Sequence, residues 1–195
     1  MKEVIKKVPS AIETQRLLLK KYQSGDGKNF FRLMQQNRSR LKDSFPISLA
    51  ASDTEENAEL WVQKKVKGWL EGTMYSFAIV DNASGAYIGD SIIKNIDWKI
   101  PKAEIGYCIT KEFEGRGLMQ EVLWALNEFA FETLGFERLY LKIAVINSRS
   151  SKLAERCGYK LEGVLKNDYR SANGTLRDVC CYGLTKGIYE KEKKS

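Results

Sequence analysis

Apolar and polar positions follow one another along this chain in two rhythms, and the changes between them mark its elements. Residues Thr14 to Tyr22 (Thr-Gln-Arg-Leu-Leu-Leu-Lys-Lys-Tyr) read as an opening strand. After Asp26, a candidate cap, Phe30, Phe31, Leu33 and Met34 give a helix its core face, and Phe45-Pro46 ends that unit. Ser52-Asp53-Thr54-Glu55-Glu56 supplies a hydroxyl or carboxylate cap and first-turn acids, and Leu60, Val62, Val66 and Trp69 carry the second helix to Gly72. The period then shifts toward two over 74–80, 87–96 and 102–110. Asp81-Asn82-Ala83-Ser84-Gly85 and a turn holding Pro101 separate these runs, which predicts an antiparallel meander.

Helical spacing returns from about 117 to 134. Positions 119, 122, 123, 126, 129, 130 and 133–134 cover one broad side, while Glu121, Glu128 and Glu132 mark the other. Gly135 fits the C-cap. A β-branched and aromatic strand occupies 139–145, a short helix runs from 148 to 157 before Gly158, and 159–165 and 178–184 complete the sheet. No internal repeat or low-complexity linker interrupts the pattern. The organisation predicted is an N-terminal extension over 1–13, one domain over 14–185 and a basic C-terminal tail over 186–195.

Composition narrows the chemistry. A chain of 195 residues, 43% hydrophobic with three prolines, suits one globular domain. No apolar run is long enough to span a bilayer and the N-terminus lacks a signal-peptide core, which predicts a cytoplasmic protein with no membrane partner. Cys108, Cys157, Cys180 and Cys181 show no metal-ligand spacing and read as reduced thiols, so no metal is expected. The chain has no histidine, which removes Ser-His-Asp and Cys-His nucleophiles and leaves proton transfer to carboxylate, hydroxyl, thiol, amine or water. The net charge is +7, but residues 1–10 and 186–195 each carry +2. The body's remaining +3 suits a polyanionic ligand better than it argues for direct nucleic-acid binding.

The turn Glu112-Phe113-Glu114-Gly115-Arg116-Gly117-Leu118-Met119-Gln120 lies between a strand and a helix. Backbone N–H groups at a helix start have no internal partner, the helix dipole adds positive charge there, and glycine admits a bulky phosphate. Glycine that merely relieves strain in an ordinary turn explains an isolated Gly-x-Gly as well. A second motif decides between these readings: Ile143-Ala144-Val145-Ile146-Asn147-Ser148-Arg149-Ser150, continuing to Cys157-Gly158-Tyr159.

The two motifs in this order resemble the GNAT superfamily of acyl-CoA-dependent N-acetyltransferases, and look most like its Rim-type branch, which acetylates ribosomal-protein N-termini. Thr14-Gln15-Arg16-Leu17-Leu18-Leu19, Glu104-Ile105-Gly106-Tyr107 and Gly163-Val164-Leu165 add to the likeness, which covers roughly 14–185. One position departs from the pattern. Many members carry Gln or Arg three residues before the first cradle glycine, where this chain has Glu112, which is therefore expected to face solvent. The resemblance implies an α+β, three-layer fold with a mixed, mostly antiparallel twisted sheet flanked by helices. Strands 103–110 and 139–145 would run parallel and splay apart in a central V. Acetyl-CoA would enter it, its pantetheine held by main-chain groups of Cys108, Ile109 and Thr110. The N–H groups of Glu114, Gly115, Arg116, Gly117 and Leu118, reaching to Met119 and Gln120, would hold the pyrophosphate, with the Arg116 side chain either a phosphate partner or a solvated turn cation. Asn147 would contact the pantetheine or cap the following helix. Ser150 would protonate the departing thiolate or satisfy a backbone N–H.

A neutral amine must attack the thioester. An α-amine titrates near 7.7–8.0 and a lysine near 10.4, so a protein N-terminus asks less of a base. Glu104 is the first candidate for that base, against a simple edge-strand charge, with Asp168 and Tyr169 in the loop after 165 as the others. A backbone N–H near Ile109 would polarise the carbonyl. The acceptor expected is a peptide or protein N-terminus. A small amine such as an antibiotic or polyamine, and a non-catalytic CoA-binding or RNA-associated module, stand as alternatives. A homodimer is common in the branch the chain resembles.

Overall fold

The computed structural model describes residues 8–193. Eight strands form one sheet in the order β1-β2-β3-β4-β5-β6-β8-β7. They are β1 Ala11–Glu13, β2 Leu17–Lys21, β3 Tyr75–Asp81, β4 Tyr87–Asp97, β5 Lys102–Ile109, β6 Arg138–Ala144, β7 Lys160–Arg170 and β8 Leu176–Thr185. The helices are α1 Gly27–Gln36, α2 Arg38–Leu41, α3 Pro46–Ala50, α4 Glu55–Glu71, α5 Leu118–Glu128, α6 Ser148–Arg156 and α7 Lys186–Lys193. Every strand pair is antiparallel except β5 with β6.

Successive residues on a strand face opposite sides of the sheet, so Phe77 and Ala78 of β3 enter different cores. One core joins Leu17, Phe77, Ile79 and Ile105 to Leu123 and Leu126 of α5. The other packs Ala78 and Cys108 beneath Phe30 and Met34 of α1 and Val62 of α4. Trp69, near the end of α4, meets Tyr75 and Phe77 edge-on at 5.1 Å. Thr54 caps α4 by accepting the N–H of Asn57 at 3.2 Å. Asp26 does not cap α1 through its side chain, which accepts from the Gln23 N–H instead.

Four segments differ from the sequence pattern. The helix read over 117–134 is α5 followed by a π-turn, Phe129–Thr133. Phe129, Ala130 and Phe131 are buried in succession through this wider turn, more than a single 3.6-residue face covers. Asp168 and Tyr169 lie on β7 rather than in a loop. Bulges within 161–163 and 165–169 and a positive φ at Asn167 break the strand's alternation, and the run Lys166-Asn167-Asp168 hides it. The basic segment after 185 forms α7. Its Tyr189 ring stacks on Phe131 at 4.9 Å and its Lys193 reaches Glu128 at 3.0 Å. Within the stretch read as an N-terminal extension, residues 11–13 form β1; residues 1–7 lie outside those described.

Candidate active site

The parallel pair β5–β6 holds for only three positions, from Lys102↔Arg138 to Glu104↔Tyr140. Both strands continue, β5 to Ile109 and β6 to Ala144, so their far ends diverge into a V. Beyond Glu104 one edge of β5 lacks a strand partner. Thr110 donates its N–H to Ile88 O at 2.8 Å. Ladder alternation therefore turns the peptide groups of Thr110 and Cys108 toward β4, and those of Tyr107 and Ile109 toward the opening. Ile109 O faces the guanidinium of Arg40 at 3.5 Å. Of the three residues expected to hold a pantetheine, Ile109 is placed to do so through its backbone. Cys108 lines the wall, and Thr110, buried with its N–H spent, does not reach the opening.

A cavity of about 920 Å³ leads from this opening to the glycine turn. Gly115 and Gly117 have φ of +75° and +74°, a conformation that disfavours any side chain, and α5 starts at Leu118. Glu114, Gly115, Gly117, Leu118, Met119 and Gln120 line the cavity. Arg116 does not; its guanidinium stacks over the Phe113 ring at 5.0 Å. Positive charge comes instead from Arg40 and from Arg149, Lys152 and Arg156 along one side of α6. Their spacing at i, i+3 and i+7 was available in the sequence; Arg40, far away in the chain, had no such signal. Glu114 accepts from both Arg40 and Arg149, the latter at 2.9 Å, which ties the turn to α6 across the cavity. Glu112 is exposed.

Asn147 Oδ1 caps α6 by accepting the Ser150 N–H at 3.2 Å. Across the opening, Ser150 Oγ lies 2.9 Å from Tyr107 OH, a hydrogen bond that sequence reading did not anticipate. Burial pushes the Tyr107 phenol up to about 12, against the opposing effect of its bond to Ser150. A second cavity, about 340 Å³, opens on the other side. Asp43, Ser44, Phe45, Tyr107, Asn147 and Ser150 line both cavities, so the two meet at the Tyr107–Ser150 pair. Glu104 lies in the second cavity, only 7% exposed, and accepts from Asn95 Nδ2 at 2.8 Å and Lys94 Nζ at 3.1 Å. Asp168 lies there too, with Lys142 Nζ at 2.7 Å, and holds that ammonium above its ordinary range. Beside it, the Tyr169 hydroxyl is buried without a hydrogen-bond partner among the described residues, its pKa raised by burial and by the negative charges of Asp43 and Glu104. Lys65 Nζ and Asp90 Oδ1 form a buried ion pair at 2.6 Å in the wall.

These features fit acetyl-CoA: a strand edge left open for amide groups, a glycine turn at a helix start and four cations along the path. Among the described residues, no group of three or more His, Cys, Asp or Glu is placed to hold a metal, and no helix is long and apolar enough to cross a membrane.

The profile of the Acetyltransferase (GNAT) domain matches residues 16–160. YdaF of Bacillus subtilis (strain 168) is 38% identical over 109 residues, 56% of this chain and 59% of that protein. The spermidine N(1)-acetyltransferase of Vibrio cholerae serotype O1 is 28% identical over 115 residues, 54% of this chain and 66% of that protein. The [ribosomal protein uS5]-alanine N-acetyltransferase of Escherichia coli (strain K12) is 29% identical over 116 residues, 59% of both chains. The chain thus spans about three-fifths of the length of YdaF and of the uS5-alanine enzyme. The structure of RimL, a ribosomal L7/L12 α-N-protein acetyltransferase in complex with coenzyme A, superposes with a TM-score of 0.82 at 23% identity, covering 91% of this chain and 97% of that one.

Proposed function

The chain belongs to the GNAT acetyltransferase family, its domain an acetyl-CoA-dependent N-acetyltransferase, and on that premise we propose that it acetylates the α-amine of a protein N-terminus. The observation that carries this reading is the charge of the second cavity. Its four carboxylates, Asp43, Asp90, Glu104 and Asp168, are each already paired, with Arg177, Lys65, Lys94 and Lys142. A site so neutralised suits one amine that must be uncharged to react; a polyamine, with several ammonium groups, calls for unpaired carboxylates. The uS5-alanine relative supports the reading; the spermidine relative marks the alternative.

Acetyl-CoA supplies the thioester carbonyl. Glu104 or Asp168 takes the proton from the incoming amine, directly or through water. The Tyr107–Ser150 pair stands where the two cavities meet and gives a proton to the leaving sulfur. Asn147 acts by holding the start of α6, and with it Ser150, in place. The protein acts with both ligands bound, since Cys108 and Cys157, each pushed up to about 12 by burial, are poor thiolate nucleophiles. Incubation with acetyl-CoA and a panel of Ser- or Ala-initiated peptides, with spermidine in parallel, tests the proposal by thiol release. Turnover on spermidine but not on peptides would sink it.

A further inference from the structure

We infer that Arg16, together with Glu121, is a positioning residue for the donor, turning the Gly117 N–H of the glycine turn toward the phosphates of CoA. The inference rests on acetyl-CoA as donor but not on the identity of the acceptor. Arg16 belongs to the Thr14-Gln15-Arg16-Leu17 stretch, which no catalytic step has used. Its Nη1 donates to Arg116 O at 2.8 Å and its Nε to Glu121 Oε2 at 2.7 Å. The Arg16 backbone N–H and the Thr14 hydroxyl both donate to Glu121 Oε1, at 2.8 and 2.6 Å. Glu121 is therefore no solvent-facing helix charge: its side chain is 14% exposed and bound from three directions. The guanidinium lies beneath the turn, with Nη2 3.7 Å from the position a Cβ on Gly117 would take.

The geometry of the peptide unit converts this contact into a function. In a trans peptide the carbonyl and the next N–H point in opposite directions. With the Arg116 carbonyl drawn down to Arg16, the Gly117 N–H points away from Arg16, to the side where Gly115, Gly117 and Leu118 line the large cavity. A Cβ on Gly117 would meet nothing within 4 Å but Arg16 itself, so little else holds this peptide plane, left-handed glycine being conformationally free. A second effect acts through charge. Glu121 in the first turn of α5 would by itself oppose an anion at that helix start, and the Arg16 guanidinium cancels it.

The test is calorimetric titration of the full chain with CoA, which needs no acceptor. Arg16→Ala should raise Kd about tenfold, the scale of one lost charge-assisted hydrogen bond. Arg16→Lys keeps the charge but cannot reach both partners, and should recover only part of the loss. Glu121→Gln, which leaves the carbonyl contact able to form, should cost less than Arg16→Ala. In the ligand-free protein the ¹H–¹⁵N resonance of Gly117 should move in Arg16→Ala while that of Gly135, beyond the far end of the same helix, stays put. Unchanged affinity in Arg16→Ala, or full recovery by lysine, overturns the positioning role while leaving the donor assignment intact. If Arg16→Ala does not fold, the lysine variant decides: wild-type affinity with an unmoved Gly117 resonance overturns the inference. A wild-type chain that does not bind CoA overturns both.

Discussion

Replacing Ser150 by alanine removes one hydroxyl and leaves the backbone N–H that Asn147 caps, so α6 keeps its start. What disappears is the hydroxyl proposed as proton donor, which faces the point where the two cavities meet. A well-placed general acid contributes about 10²–10⁴-fold, so the rate of the chemical step should fall at least 100-fold, about 2.7 kcal/mol of barrier. Affinity for CoA should change by less than about twofold, because in the proposed role the hydroxyl acts on the sulfur alone and the rest of CoA lies elsewhere in the cavity. Tyr107→Phe should be milder. It deprives Ser150 of one neutral hydrogen bond, worth about 1 kcal/mol, and should slow the step about fivefold. Since burial keeps the Tyr107 phenol protonated up to about 12, the pH–rate profiles of wild type and Tyr107→Phe should have the same shape between about pH 6 and 9. Single-turnover measurements with saturating acetyl-CoA and an acetylated-peptide readout isolate the chemistry from product release. A Ser150→Ala rate within threefold of wild type would remove Ser150 from the proton path.

Three further outcomes follow from the same geometry. Asp90→Asn leaves the Lys65 ammonium, 2% exposed, without its counter-ion and should cost about 3–5 kcal/mol in urea unfolding, whereas a loss below 1 kcal/mol would contradict a closed ion pair there. Stability should fall as pH rises above about 10. Burial raises the Tyr107 phenol to about 12 and lifts Tyr22, Tyr87 and Tyr159 as well, so the folded state keeps protons that the unfolded chain, titrating near 10, has lost; a urea midpoint equal at pH 8 and pH 11 would refute this. Glu114→Gln frees Arg40 and Arg149 for phosphate and should tighten CoA binding by up to about fivefold, whereas weaker binding in the calorimeter would mean that the carboxylate holds the arginines in a useful pose.

Legibility of the sequence followed the range of the interactions involved. The meander, the glycine turn and α6 rest on local chemistry, such as Gly117 at positive φ and Asn147 with Ser150, and each could be read within a few residues. The Tyr107–Ser150 bond joins residues 43 positions apart, and Arg16 meets Glu121 across 105. No periodicity announces such contacts. Arg116, which the sequence left open between a phosphate partner and a solvated cation, shows the reverse case. It stands in the motif and carries the right charge, yet Phe113 three residues earlier offers its ring, and the side chain turns there. Thr110 turns its N–H away for a strand-level reason: whether a peptide group faces the opening depends on ladder phase, which the pairing with Ile88 sets. The segment 165–170 was lost because a bulged strand with a polar run does not alternate.

The V between β5 and β6 also bears on how the enzyme is governed in a cell. The groups proposed to grip the donor there, from the Ile109 peptide to the glycine turn, would touch parts that donor and spent product have in common; only the acetyl group differs. Free CoA is therefore a natural competitor for the slot it has just vacated. On that reading throughput would track the proportion of the CoA pool that carries an acetyl group, making the slot a gauge of metabolic supply as well as a place of reaction.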